Sequence, residues 1–202
     1  MKAPTLRERF RETTSLAILA AAETIAARDG LANASLQGIA DEAGVAVGTI
    51  YNYFQDRKVL FEELFARRRE ELYGAVDAAA KAHARARFEE QLRAFLLAVF
   101  EFFDQRRTFL YLALEAEGYK PTIVKGQDGK RRPAMQQLQE RAERVIEVGV
   151  REKRVRAAAA GLASVLLVAF VRSILFSHFD ESIPFASQVD SIVELFLGGV
   201  GR

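Results

Sequence analysis

The chain has 202 residues, 50% of them hydrophobic, and it contains no cysteine. Such a chain has enough apolar surface for a sizeable core and is globular rather than disordered. Without cysteine it has no disulfide framework, thiolate zinc site or cysteine nucleophile. The net charge is +2, and the first 60 residues carry seven basic and seven acidic side chains. Any case for a nucleic-acid partner therefore depends on where individual charges lie.

The first helix is predicted to begin at a cap among Thr13, Thr14 and Ser15 and to run to about Arg28. Residues 1–12 are expected to form a polar arm, helical or frayed. Charges alternate there, and the apolar segment of a signal peptide is missing. A cytoplasmic protein is therefore expected. Apolar residues recur at helical spacing after the cap, and Asp29-Gly30 ends the pattern. This helix is expected to bury the back of the next motif.

Residues 35–60 read as two short helices joined by a tight turn, followed by a longer helix. Ser35 is a good N-cap, and Gly44 stands where the chain needs a positive φ to leave a helix. A second helix is predicted from Val47 to Phe54, and Asp56 caps a third that extends to about Ala82. This spacing is typical of a helix-turn-helix whose second helix enters the major groove of DNA. An ordinary corner in a helical core is the alternative, but it usually has another apolar residue where this chain has GTIYNY.

Three segments carry a family resemblance: ILAAAETIAARDG, SLQGIADEAGV and GTIYNYFQDRKVLF. Residues 16–61 resemble the DNA-binding domain of the TetR family of transcriptional regulators. The resemblance implies an all-α fold of about nine helices. It places a three-helix DNA-binding domain at 1–60 and a helical ligand-sensing and dimerisation domain at 61–202, with the helix at 56–82 bridging them.

The predicted DNA contacts divide into two groups. Thr49, Tyr53 and Arg57 are expected to hold phosphates, helped by Ser35 at a helix N-terminus. The residues expected at base edges are Gln37, Ala46, Val47, Tyr51 and Asn52. The resemblance supports Gln37, Thr49, Tyr51, Tyr53 and Arg57 position by position.

The chain also departs from the family pattern in the same region. The family commonly has Lys where Arg57 stands, an acidic residue where Lys58 stands, and a polar or basic residue where Val47 stands. Val47 has no donor that could bind guanine, as a basic side chain at this position would. A·T pairs are therefore favoured in each half of the operator. Two basic clusters would flank the helix that enters the major groove. One comprises Arg7, Arg9 and Arg11, and the other comprises Arg57 and Lys58. A solvated surface is the alternative for each cation.

The second half of the chain reads as a series of helices. An aromatic stretch from Phe88 to Glu117 is predicted to break at 106–108, a loop covers 118–133, and an amphipathic helix covers 135–153. Residues 157–179 are almost entirely apolar, but the uncharged run is shorter than the ~20 residues that cross a bilayer. This helix and the last one, 184–197, are expected to pair with their copies in a symmetric dimer. The predicted interface residues are Leu162, Leu166, Phe170, Val189, Ile192, Val193 and Phe196.

Aromatic content predicts a small-molecule pocket, because eleven of the fifteen phenylalanines follow residue 80. A pocket for a mainly apolar ligand is expected, lined by Phe100, Phe103, Phe109, Tyr111, Phe170 and Arg172. Arg172 is included because a charge in an apolar helix needs a partner. Glu115, Glu117 or an anionic ligand group would supply it.

The sequence shows no catalytic constellation. The two histidines, His83 and His178, lack the spacing of a metal pair, so neither a metal nor another cofactor is expected. The function predicted is a homodimeric repressor that binds a palindromic operator and is released by a mainly apolar small molecule. The alternatives are a DNA-binding regulator without small-molecule control, an activator, a helical interaction module without DNA affinity, and a peripheral membrane protein.

Overall fold

The structure is a computed structural model that describes residues 5–119, 123–125, 131–133, 136–177 and 183–200. The described part is almost wholly helical, which confirms the all-α prediction. The helices are α1 (Leu6–Asp29), α2 (Leu36–Ala43), α3 (Val47–Tyr53), α4 (Arg57–Ala82), α5 (Phe88–Asp104), α6 (Arg107–Tyr119), α7 (Gln136–Arg151), α8 (Ala160–Ser177) and α9 (Val189–Val200). Short 3-10 helices at Ala157–Ala159 and Phe185–Gln188 precede α8 and α9.

The predicted loop at 118–133 contains two short strands, β1 (Ile123–Lys125) and β2 (Arg131–Pro133), which pair antiparallel. The last helix also differs from its prediction. It begins with a 3-10 turn and continues past Gly198 to Val200. Glycine costs a helix only about 1 kcal/mol per residue, so two glycines need not end one.

Contacts divide the chain into two compact units. Unit 1 comprises Met1–Arg69 and Thr108–Ala116, and unit 2 comprises Glu70–Arg107 and Glu117–Arg202. The sequence predicted a boundary at residue 60 and a second domain that is continuous. The division instead falls within α4, and most of α6 belongs to unit 1.

The first helix is longer than predicted, because it begins at Leu6 rather than near residue 13. Thr5 and Glu8 form a capping box. The Glu8 amide donates to Thr5 Oγ1 at 3.3 Å, and the Thr5 amide donates to Glu8 Oε2 at 2.6 Å. This backbone hydrogen bond, with a second from the Thr5 hydroxyl, lowers the pKa of the Glu8 carboxyl below its ordinary value of 4.5. The sequence Thr-x-x-Glu was the signal for this start, and it was missed.

The core of unit 1 is built from one apolar face of each of its helices. Its buried members include Ile18, Ala22 and Ile25 of α1, Ile39 and Ala40 of α2, Ile50 of α3, Leu60 and Leu64 of α4, and Leu112 of α6. The Phe65 and Phe109 rings lie 5.8 Å apart, which further fixes α6 against α4 within this unit. Arg68 pairs with the buried Glu23 at 2.7 Å.

In unit 2, α5 packs against α7, α9 and the 3-10 turn before α9, while α7 packs against α8. Asp104 accepts hydrogen bonds from the amides of Phe185 and Ala186 at 2.9 and 3.0 Å. It also pairs with Arg107, whose guanidinium lies 4.0 Å from the centre of the Phe185 ring. The end of α5 is therefore tied to the start of the last helical segment.

The apolar helix predicted at 157–179 is described as far as Ser177, so its last residues and His178 lie outside the described part. The stretch Ala157–Leu175 is long and apolar enough to cross a membrane by length and composition, with mean hydropathy 2.1. Only 28% of its residues are buried within one copy of the chain. This helix thus presents a large apolar surface.

Burial corrects the interface predicted on α9. Val189, Ile192, Val193 and Phe196 are almost fully buried within one chain, where they face α5 and α8. They belong to the protomer's own core and cannot offer a surface to a second subunit. The exposed apolar residues of these helices are instead Leu162, Val165 and Phe170 of α8 and Leu195 of α9, while Leu166 is half-buried.

We expect Gly149→Ala to destabilise the protein by about 1–3 kcal/mol, because a Cβ there overpacks the core. It would lie 2.9 Å from two ring carbons of the fully buried Phe88 and from a methyl of Val155. Urea unfolding, followed by far-ultraviolet circular dichroism, measures the change.

Gly74→Ala is the matched control in the same unit, since nothing lies within 4 Å of its Cβ position. Alanine is the better helix former, so this substitution should leave stability unchanged or raise it by up to about 1 kcal/mol. Equal effects of the two substitutions would contradict the close packing at Gly149.

Candidate nucleic-acid interface

The turn between α2 and α3 has the geometry that the sequence predicted. Gly44 ends α2 in the left-handed region, with φ 67° and ψ 32°, which strains any residue with a side chain. The Val45 amide donates to the Ala40 carbonyl at 3.0 Å and closes the turn. Ala40 is completely buried, and its small side chain lets the two helices approach closely. Ser35 caps α2 by accepting from the Gly38 amide at 3.0 Å.

Helix α3 presents a polar, uncharged face to solvent. Its core side is anchored by Ile50, which is 1% exposed, with Phe54 buried directly after the helix. On the opposite side Tyr51 is 55% exposed, and Asn52 is also exposed. The helix carries no acidic side chain, so nothing on it repels phosphate. Phenol and amide groups on such a face can donate and accept hydrogen bonds at base edges.

The other predicted contact residues are distributed around this face. Ala46 is exposed, whereas Val47, Thr49 and Tyr53 are half-buried. Gln37, on α2, is exposed and donates to Asp41 at 2.8 Å. The Gln37 amide is thus oriented by an acidic neighbour on the same helix.

Arg57 has a different position from the one predicted. Its Nε donates to the Ala34 carbonyl at 2.6 Å, and its Nη2 donates to the Leu31 carbonyl. The guanidinium also lies 5.2 Å from the centre of the Phe61 ring. These bonds use the donors on one edge of the side chain to secure the turn between α1 and α2. Arg57 therefore holds the domain together, and the prediction that it serves as a phosphate contact lacks support from its geometry.

Arg11 is a basic residue that contacts the end of α3. Its guanidinium carbon lies 5.8 Å from the centre of the Tyr53 ring, at the end of α3. The sequence placed Arg11 in a polar arm, because the capping box that makes this segment helical was overlooked.

A comparison with protein-family models agrees with this geometry. Residues 18–64 match the model for bacterial regulatory proteins of the tetR family. Residues 18–64 are thus a segment of tetR type with helix-turn-helix geometry, as the sequence resemblance implied.

Solved structures resemble the whole chain in fold. The TetR-family regulator PfmR from Thermus thermophilus has a TM-score of 0.73 at 18% identity, covering 92% of this chain and 99% of its own. The fatty acid degradation regulator FadR from Bacillus halodurans has a TM-score of 0.72 at 20% identity, and the match covers 100% of both chains. FadR from Bacillus subtilis, solved with stearoyl-CoA, has a TM-score of 0.70 at 16% identity, covering 92% and 98%. No curated protein sequence matches the chain.

The residues predicted to line a ligand pocket are divided between the two units. Phe100 packs against Phe185 and Phe103 against Phe102, as core side chains of unit 2. Phe109 and Tyr111 belong to unit 1. The last two residues, on α8, are not buried: Phe170 is 38% exposed, and Arg172 is exposed as well.

The exposure of Arg172 removes the argument that selected it, since an exposed cation needs no buried partner. Of its predicted partners, Glu115 instead accepts from the Leu31 amide within unit 1, and the side chain of Glu117 lies outside the described part. Unit 2 does contain a groove of about 570 Å³ between α4 and α5. None of the six predicted residues lines that groove.

Neither a catalytic nor a metal-binding arrangement emerges from the described residues. They contain no group of three or more His, Asp or Glu side chains that could hold a metal ion. His83 Nδ1 lies 2.9 Å from the Ala79 carbonyl, at the end of α4.

We expect Arg57→Met to destabilise the protein by about 1.5–3 kcal/mol, because hydrogen bonds from a charged donor to two carbonyls are lost. Urea unfolding of the full chain measures this. The control is Lys58→Met, which removes the neighbouring charge. Lys58 is exposed and lies 3.8 Å from Glu62, so its loss should cost less than about 0.5 kcal/mol. An Arg57→Met protein with unchanged stability and weakened DNA binding would restore the phosphate role.

Proposed function

We propose that this protein is a homodimeric transcriptional repressor of the cytoplasm, which binds a palindromic operator and is released by a mainly apolar small molecule. The exposed, acid-free face of α3 supports the DNA-binding step most directly. The match to the model for bacterial regulatory proteins of the tetR family agrees with it. The remaining parts of the proposal rest on the surfaces of unit 2 and on the structurally similar proteins.

Base recognition is proposed at Gln37, Ala46, Val47, Tyr51 and Asn52. Thr49 and Tyr53 would position the helix on phosphates, and Ser35 would help from the start of α2. The methyl groups of Ala46 and Val47 suit the thymine methyl, and the amides of Asn52 and Gln37 suit adenine. An A·T-leaning half-site follows from this set of side chains.

The dimer interface is proposed on α8. Leu162, Val165, Leu166 and Phe170 lie at helical spacing on one side of the helix, and Leu162 is 63% exposed. Leu195 of α9 adds an exposed apolar side chain in the same unit. Removing an apolar surface of this extent from contact with water is favourable. A symmetric pair of α8 helices would cover it. A two-fold dimer also matches the symmetry of a palindromic operator.

An effector with a long apolar chain is proposed from the similar structures. One of them was solved with stearoyl-CoA, and others are named as regulators of fatty acid metabolism or of ketosteroids. At 16–20% identity these proteins share the fold, and their ligands supply only the class of compound to test.

One observation favours the alternative, a DNA-binding regulator without small-molecule control. Phe100 and Phe103 are buried against other aromatic rings and act as ordinary core residues in this structure. In that case the acyl compounds would leave DNA binding unchanged, whereas the proposed repressor would release its operator.

The first test is selection of bound duplexes from random DNA by the purified protein at near-physiological salt. We expect an A·T-leaning palindrome. Asn52→Ala should then relax sequence preference and weaken binding to the selected duplex, because each good base contact contributes about 1–3 kcal/mol of discrimination. Asn33→Ala, which lies outside the proposed interface, is the control. Recovery of no duplex, before or after the protein is unfolded and refolded to strip bound compounds, would refute DNA regulation.

Stearoyl-CoA and palmitate are the probes for the effector, with free coenzyme A as the control. Addition of an acyl probe is expected to lower affinity for the selected duplex and to raise the melting temperature of the protein. A coupling of about 1–3 kcal/mol corresponds to a 5- to 150-fold change in affinity. No change with either probe would favour the alternative without acyl control.

We expect Leu162→Asp to convert the dimer to a monomer, because it places a charge within the proposed apolar interface. Sedimentation equilibrium without detergent should give twice 22.5 kDa for the unmodified protein and 22.5 kDa for the variant. Leu6→Asp is the control, since Leu6 is similarly exposed but lies on α1. A monomeric unmodified protein would exclude the dimer, and a requirement for detergent would favour a membrane role for α8.

A further inference from the structure

We propose that the first two turns of α1 form a second DNA contact, in which Arg7 and Arg11 bind phosphates beside the half-site recognised by α3. This inference rests on the proposed DNA-binding function and extends it to a part of the chain outside the helix-turn-helix. It also separates these two arginines from Arg9, although all three lie within five residues.

The position of the two arginines follows from helix geometry. Arg11 precedes Ile18, Ala22 and Ile25 by seven, eleven and fourteen residues, which places all four on one stripe of α1. The three apolar residues of this stripe are buried in the unit 1 core. Arg7, four residues before Arg11, continues the stripe beyond the end of the core. The same face of α1 that covers the helix-turn-helix therefore ends in two cations.

The contact with Tyr53 shows that this face of α1 lies beside the end of α3. The Arg11 guanidinium lies over the Tyr53 ring, within the ~6 Å range of a cation–π interaction. Tyr53 is the last residue of α3 and is proposed to contact phosphate. Arg11 and Tyr53 therefore border the same surface, and Arg7 lies one turn further out along it.

Arg9 aside, the other arginines of the N-terminal part of unit 1 already have partners. Arg28 pairs with Asp29, Arg67 with Glu12 and Arg68 with Glu23. Arg57 is bonded to two carbonyls. By contrast, no acidic group among the described residues forms an ion pair with Arg7 or Arg11.

The acidic residues closest to these arginines in sequence are engaged elsewhere. Glu8 accepts hydrogen bonds from Thr5, and Glu12 lies 3.8 Å from Arg67. Among the described residues, neither Glu8 nor Glu12 therefore forms an ion pair with these two exposed cations. A phosphodiester backbone is the partner that fits, because it is anionic and continuous with the groove that α3 would enter.

Arg9 provides a matched control. Two residues from both Arg7 and Arg11, it projects about 160–200° away around the helix, on the side remote from the core stripe. It is exposed, and it has the same chemistry and the same position in the chain. Any effect of net charge alone should therefore be the same for Arg9 as for Arg7.

The test compares Arg7→Gln, Arg7→Gln/Arg11→Gln and Arg9→Gln in the full-length protein. Affinity for a short random-sequence duplex is measured across a range of salt concentrations. Each phosphate contact contributes about −0.9 to the log–log salt slope, so the double variant should lose about 1.8 from its magnitude per bound subunit. Arg7→Gln should lose about half of that, and Arg9→Gln should match the unmodified protein.

Phosphate ethylation interference on a duplex selected by the protein locates the contact. We expect the unmodified protein and Arg9→Gln to be sensitive to ethylation at phosphates flanking the half-site. That sensitivity should disappear in the double variant. Arg7→Lys should retain it, since a cation remains. The single Arg7→Gln variant separates the contact from any disturbance of Tyr53, because it leaves Arg11, which lies over the Tyr53 ring, unchanged.

Three results would overturn the inference. Unchanged salt slopes in the double variant would mean that Arg7 and Arg11 are simply solvated. Equal losses for Arg7→Gln and Arg9→Gln would show a general charge effect without a defined contact. Failure of the unmodified protein to bind any duplex would refute the proposed function itself, and the inference with it.

Discussion

The packing of the DNA-binding unit depends on hydrogen bonds made by the backbone amide and carbonyl of Leu31. Its amide donates to both carboxylate oxygens of Glu115 at 3.2 Å, and its carbonyl accepts from Arg57. A single turn between α1 and α2 is thereby bonded to the start of α4 and to the end of α6. Because charged groups make both contacts, each bond is stronger than one between neutral groups. The angle at which α1 leads into the helix-turn-helix is fixed by this turn.

Much of the N-terminal unit could be predicted because its signals are local. Ser35, Gly44 and Asp56 act through bonds or dihedral angles within a few residues, and each appears where the sequence placed it. The buried faces of α2 and α3 follow from helical periodicity in the same way. The one local error was the start of α1, where the Thr5–Glu8 pair was a recognisable signal that was not used.

The remaining differences come from partners that are distant in sequence. Arg57 lies 23 and 26 residues from the carbonyls that it binds, and no pattern in the sequence predicts that pairing. Helical periodicity suits the apolar residues of α9 equally to a core or to a subunit interface. Only the packing of α5 and α8 around them shows that they belong to the core. Arg172 was assigned to a pocket because its helix is apolar, but the helix has an exposed side that composition cannot reveal.

The division into units has a consequence for how such regulators can be recombined. Leu112 fills part of the DNA-binding core, and Glu115 holds Leu31, yet both residues follow α5 in the chain. A chimera that joined residues 1–69 to a foreign sensor would lose this segment of α6. The transplanted domain would then have a gap in its core and an amide without its carboxylate. For this protein a functional DNA-binding module is therefore assembled from two separate stretches of sequence, and an exchange of sensors must carry both.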